Sequence, residues 1–153
     1  HLRKFHAKFV AKKELGKGIP SISFNLRHGG AALIDRKDKS KALETLEKFA
    51  KKINQKKWST IIFPEGTRSK GDTPKYFSKS GLETILKFNP NALIVPVSIQ
   101  GSWKMFRNGN FPLGVFNKIS IEVLKPIKAS SMNFKDLLDT VEKTITQSVL
   151  AKA

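Results

Sequence analysis

Ile61-Ile62-Phe63-Pro64-Glu65-Gly66-Thr67-Arg68-Ser69 is the stretch that decides how this chain folds. Three apolar residues run into a proline. Proline has no N–H for a ladder, so a buried strand ends at Pro64 and the next residues stand at the edge of a sheet. Gly66 permits a tight turn and a close approach to backbone. Thr67 offers a hydroxyl and an N–H. Arg68 offers a planar fork that can hold two phosphate oxygens at once. Glu65 either fixes that arginine or accepts a hydrogen bond from a substrate hydroxyl. The same residues equally describe a surface turn with a local Glu–Arg pair.

Outward from this strand, expected over residues 59–63, helices and strands alternate. Residues 38–55 form an amphipathic helix with Leu43, Leu46, Phe49, Ala50 and Ile53 on one face. Residues 32–35 are a short apolar strand. Residues 20–28 are a helix with Pro20 in its first turn and Gly29-Gly30 at its end. A first strand, with Phe9 and Val10, spans 6–11. On the other side, a helix over 80–88 closes at Asn89-Pro90. A strand over 92–99 is apolar nearly throughout and is expected to be central. A loop covers 103–116. A half-buried strand over 118–124 alternates Ile119, Ile121 and Val123. A last helix over 133–150 carries the stripe Leu137, Leu138, Val141, Ile145 and Val149. The expected class is α/β, a layered mixed sheet with flanking helices in a single domain over 1–153. Ligands of such sheets bind beyond the carboxyl ends of strands, here Asp35-Arg36 and residues 63–68.

The 153 residues carry 29 lysines and arginines against 12 acids, a net charge of +17. Only Arg3, Arg27, Arg36, Arg68 and Arg107 are arginines. Such a field attracts nucleic acid, anionic lipid, acidic carrier proteins or phosphorylated metabolites, and charge alone does not choose among them. There is no cysteine, which excludes disulfides and cysteine-held metals. No apolar run approaches the roughly 20 residues of a membrane span. Trp103, Met105, Phe106, Phe111, Leu113, Val115 and Phe116 share one loop with Lys104 and Arg107. That composition suits a bilayer interface, an acyl-chain groove or a loop folded over the core.

Phe63-Pro64-Glu65-Gly66-Thr67-Arg68-Ser69 resembles the phosphate-binding block of the glycerolipid acyltransferase family, which includes 1-acyl-glycerol-3-phosphate acyltransferases. Phe9-Val10-Ala11-Lys12-Lys13-Glu14-Leu15 is similar to its strand-to-helix segment, Gly30-Ala31-Ala32-Leu33-Ile34-Asp35-Arg36 to its second block, and Val95-Pro96-Val97 to its fourth. The resemblance covers about residues 9–101. It implies transfer of a fatty acyl group from acyl-CoA or acyl carrier protein to the free hydroxyl of 1-acyl-glycerol 3-phosphate, with no cofactor, no metal and no covalent enzyme intermediate. It further implies that Arg68 grips the acceptor phosphate, that Glu65, Gly66 and Thr67 shape its loop, and that Arg36 and Lys79 assist. An anionic membrane surface on the cytoplasmic side is the implied location.

The family's base is a histidine with an aspartate five residues later. Here His1 is followed at that distance by His6, His6 by Ala11, and His28 by Leu33. No catalytic residue is therefore assigned, and the pair is expected upstream of His1. Two other readings stand beside this one: a basic peripheral membrane domain without catalysis, and a nucleic-acid-binding module. The latter lacks any recognised motif or arginine–aromatic platform.

Overall fold

In the computed structural model, residues 7–17, 20–67, 71, 73–107, 109 and 113–151 are described. They divide into two units, His1–Pro64 with Lys79–Pro90 and Glu65–Ser78 with Asn91–Ala153. The mixed α/β class expected from the alternation of elements is found.

The first unit is built on parallel β-α-β connections. Strand β1 (Lys8–Lys12) leads through a 3₁₀ turn and helix α1 (Pro20–His28) to β2 (Ala32–Ile34). Helix α2 (Lys39–Lys56) then leads to β3 (Thr60–Ile61), and α3 (Lys79–Phe88) completes the unit. The sheet order is β2-β1-β3, parallel throughout, with Val10 opposite Ala32 and Phe9 opposite Ile61. Helix α2 forms because Asp38 caps it, accepting the Lys41 N–H at 3.0 Å. It ends in a left-handed cap at Lys57 (φ 51°), whose N–H reaches the Asn54 and Ile53 carbonyls. Its buried face is Leu46, Phe49, Ala50 and Ile53. Leu46 and Ala50 pack with Ile34 and Ile85, while Phe49 and Ile53 pack with Ala32 and Trp58. Each large side chain of this seam contributes roughly 1.5–3 kcal/mol by burial. Leu43, expected on the same face, is exposed in the first turns of the helix. Gly81 brings α3 close to the chain leaving β3, since a Cβ there would lie 3.4 Å from Ile62.

Strand β3 is shorter than expected. Ile61 and Ile62 are half-buried and Phe63 is 56% exposed, so the apolar run is not buried to its end. Its ladder to β1 stops at Ile61, before Pro64.

The second unit contains β4 (Leu93–Ile94), β5 (Val97–Gln100), β6 (Ser120–Val123), β7 (Ile127–Lys128) and α4 (Phe134–Leu150). The expected central strand over 92–99 is instead two short strands, β4 paired antiparallel with β7 and β5 with β6. The physical reason is Pro96, which lacks the N–H a continuous ladder needs. Its carbonyl still accepts the Leu124 N–H at 2.9 Å, bridging the two ladders. The β6 alternation has the expected period, but the apolar side faces outward. Ile121 and Val123 are exposed, as are their partners Ile99 and Val97. The opposite, polar face meets α4. Ser98 Oγ lies 2.7 Å from Ser148 Oγ, Ser148 Oγ donates to Glu122 Oε2, and Gln100 Nε2 donates to the Ser148 and Val149 carbonyls. Helix α4 is capped by Asn133, which accepts the Asp136 N–H at 2.9 Å, and buries Leu137, Leu138, Val141 and Val149. The 103–116 loop opens as a 3₁₀ turn, Ser102–Phe106.

Candidate functional site

The loop after β3 is built around Gly66. The Thr67 N–H donates to the Glu65 carbonyl at 2.8 Å, two residues back, and Gly66 between them has φ +70°. That is a γ-turn of the kind that demands positive φ, which glycine adopts without a Cβ clash. The turn faces Thr67 and Glu65 to one segment. The Lys75 backbone N–H donates to Glu65 Oε2 at 3.0 Å, and Lys75 Nζ donates to Thr67 Oγ1 at 2.8 Å.

Lys75 was not singled out from the sequence. In a chain with so many lysines, nothing in its neighbours marks it; only the fold carries it back across eight residues to Thr67. Its partner there is a neutral hydroxyl, and among the described residues no carboxylate oxygen lies within ion-pair distance of its Nζ. The result is a γ-turn with an exposed ammonium held against it and a carboxylate whose second oxygen, Oε1, remains an acceptor. A phosphate oxygen can take the ammonium, and a substrate hydroxyl can donate to the carboxylate.

Of the residues expected at the site, the structure brings Glu65, Gly66 and Thr67 together. Arg68 lies outside the described residues. Arg36 lies in the first unit, in the turn just past the carboxyl end of β2, with its side chain exposed. The neighbouring Asp35 does not pair with it. Asp35 accepts the Lys37 N–H at 3.1 Å and lies 3.6 Å from Lys13 Nζ. Arg36 is thus an exposed cation without a carboxylate partner among the described residues, at the edge where ligands of parallel sheets bind. Lys79 is the first residue of α3 and is exposed.

A family model described as Acyltransferase matches residues 3–100. A 1-acyl-sn-glycerol-3-phosphate acyltransferase of Helicobacter pylori is 38% identical over 99 residues, covering 61% of this chain and 41% of that protein. The enzyme of the same name from Saccharomyces cerevisiae is 29% identical over 151 residues, covering 92% of this chain and 46% of its own length. The Haemophilus influenzae enzyme is 28% identical over 145 residues, covering 90% and 58%. The chain therefore spans about half the length of the curated relatives it matches. Among solved structures, the 1-acyl-sn-glycerophosphate acyltransferase PlsC of Thermotoga maritima shares the fold, with a TM-score of 0.68 and 24% identity over 95% of this chain and 56% of that one.

Proposed function

The chain belongs to the acyltransferase family, and from that premise we propose that it serves acyl transfer to a lysophosphatidate-type acceptor by holding the acceptor's phosphate. The donor in this reading is a fatty acyl thioester, acyl-CoA or acyl carrier protein. The observation that carries the reading is the Glu65–Thr67 γ-turn with the Lys75 ammonium bound to Thr67 Oγ1. It offers a phosphate a cation and a turn at one place, the turn inside the heptapeptide of residues 63–69 and the cation brought to it by Lys75. By the resemblance alone, Arg68 in the same heptapeptide would supply a bidentate fork. No metal or cofactor is needed for this step, because the phosphate meets cations of the chain itself.

Proton abstraction is assigned to no residue here, since no histidine in the 153 residues has an aspartate five positions on. The reaction the proposal serves is attack of the acceptor hydroxyl oxygen on the thioester carbonyl. The hydroxyl proton passes to a base and the thiolate departs.

Calorimetric titration of the chain with glycerol 3-phosphate tests the reading. Binding that is abolished by removing the phosphate (glycerol alone) is expected. Equal heats with glycerol and glycerol 3-phosphate, or no binding of either, would reject it.

A further inference from the structure

The segment between β5 and β6 combines aromatic residues with cations, and the structure separates it into two parts. Trp103, Met105 and Phe106 are half-buried in the 3₁₀ turn. Leu113, Val115 and Phe116 are not: they are 45%, 70% and 104% exposed. A phenyl ring exposed to that degree has no groove walls around it and covers no core.

The tip is also held in place. Gly114 N–H donates to the Met105 carbonyl at 2.8 Å, and a Cβ at Gly114 would come within 2.5 Å of the Lys104 carbonyl oxygen. At the start of the loop, Gly101 (φ +72°) lies so close to the Lys118 carbonyl that a Cβ would meet it at 2.4 Å. Backbone packs on backbone at both places, and only glycine fits. Between them Phe116 has φ +58°, the left-handed region in which a bulky side chain is an outlier. Backbone strain of this kind persists where the surroundings enforce it, and it clusters at sites that use the geometry. Here the geometry displays an aromatic ring.

Lys104, Arg107 and Lys118 are exposed in the same loop, and none of them pairs with a carboxylate among the described residues. We propose that residues 113–116 form an insertion tip for an anionic lipid bilayer. Val115 and Phe116 enter the apolar layer, and Lys104, Arg107 and Lys118 meet the headgroups. A second copy of the chain is the poorer occupant, because two surfaces each carrying a share of +17 repel. The inference does not depend on acyl transfer, and its test reads no activity.

The chain is sedimented with vesicles of phosphatidylcholine alone and of phosphatidylcholine mixed equally with phosphatidylglycerol, at low salt and at about 1 M, where the Debye length is only about 3 Å. Anionic vesicles are expected to bind it at low salt, with part of the binding surviving high salt. Joint Val115→Ser and Phe116→Ser substitution should remove the surviving part and weaken binding roughly tenfold or more, by loss of apolar burial. Lys118→Gln should instead weaken low-salt binding roughly fivefold and leave the surviving part alone. Phe116→Trp should shift its emission to the blue on anionic vesicles, beyond the signal of Trp58 and Trp103. Far-ultraviolet dichroism of each variant checks that it folds. Three results would overturn the proposal: the double-serine variant binding like the wild type at both salts, equal low-salt binding to neutral and anionic vesicles, or a lipid-free dimer that the double substitution dissociates while vesicle binding stays intact.

Discussion

Replacing Lys75 by methionine is expected to weaken binding of a phosphate-bearing acceptor roughly 10- to 100-fold, the scale of about 1.5–3 kcal/mol for a hydrogen bond to a charged group. The chain length at this position is kept, but the ammonium that meets Thr67 Oγ1 is lost. Titration of the variant with glycerol 3-phosphate checks this. Unchanged affinity would mean that Lys75 only clasps the loop. Arg68→Ala should fall in the same range, and Arg68→Lys should recover only part of the loss, since a point charge cannot reproduce the guanidinium fork. A second residue, Asp38, carries a pH signature. The Lys41 backbone N–H, and then the Lys41 side chain, hold its carboxyl below the ordinary value. A carboxyl with a depressed folded pKa contributes stability above its unfolded value, and that stability is lost as pH falls through the folded value. The Asp38→Asn variant keeps a capping oxygen that does not titrate. Thermal melts of the two proteins should therefore differ at neutral pH, with the wild type higher. The gap should close as pH falls below about 4, the ordinary carboxylate range. A constant gap down to acid pH would contradict the assignment.

At the scale of elements, two caps give opposite expectations. Lys57 ends α2 with φ +51°, a conformation that costs an ordinary residue roughly 1–2 kcal/mol and costs glycine almost nothing. Lys57→Gly should therefore stabilise the first unit by about 0.5–1 kcal/mol after the added freedom of the unfolded chain is counted, read as a shift in the urea midpoint. Asn133 caps α4 through the Asp136 N–H, and Asn133→Ala should cost about 1 kcal/mol by the same measurement. These helices were legible in the sequence because periodicity and caps are local: α1 matches its expected bounds, and α2, α3 and α4 are off by a residue at one or both ends. The strands were less so. Whether β6 shows Ile121 and Val123 to solvent or to a core depends on what lies across the sheet, and alternation cannot tell the two faces apart. What lies across is α4, which offers Ser148 and backbone carbonyls near its end, and so takes the polar side. Proline chemistry accounts for the split at Pro96, whereas the apolar residues Leu93, Ile94, Val95 and Val97 around it read as one strand. In the site, Glu65, Gly66 and Thr67 were legible as a motif. Lys75 was not, because its role comes from a tertiary contact.

For the whole molecule, the expectation concerns turnover. Incubated with acyl-CoA and lysophosphatidate, the 153-residue chain should bind acceptor and yet form no phosphatidate above background. General-base assistance contributes about 10²–10⁴-fold, and no suitably spaced histidine and aspartate are present. Lipid extraction and chromatography read this directly, and clear turnover would place a base among these residues. Among the described residues no helix is long and apolar enough to cross a membrane. The way the second unit is joined has a further consequence, for how it is made. Strands β5 and β6 can pair as soon as Val123 has left the ribosome, but the groups that bind their polar face, Ser148 and the Val149 carbonyl, lie at the far end of α4. At about 5–20 residues per second, they leave the ribosome only a few seconds after Val123. For that interval the hairpin has one face that is apolar and another whose hydrogen bonds have no helix to meet. Nascent chains arrested with Val123 outside the ribosome and Ser148 still within it should accordingly be the ones that a chaperone retains, and release should coincide with the emergence of Ser148 and Val149.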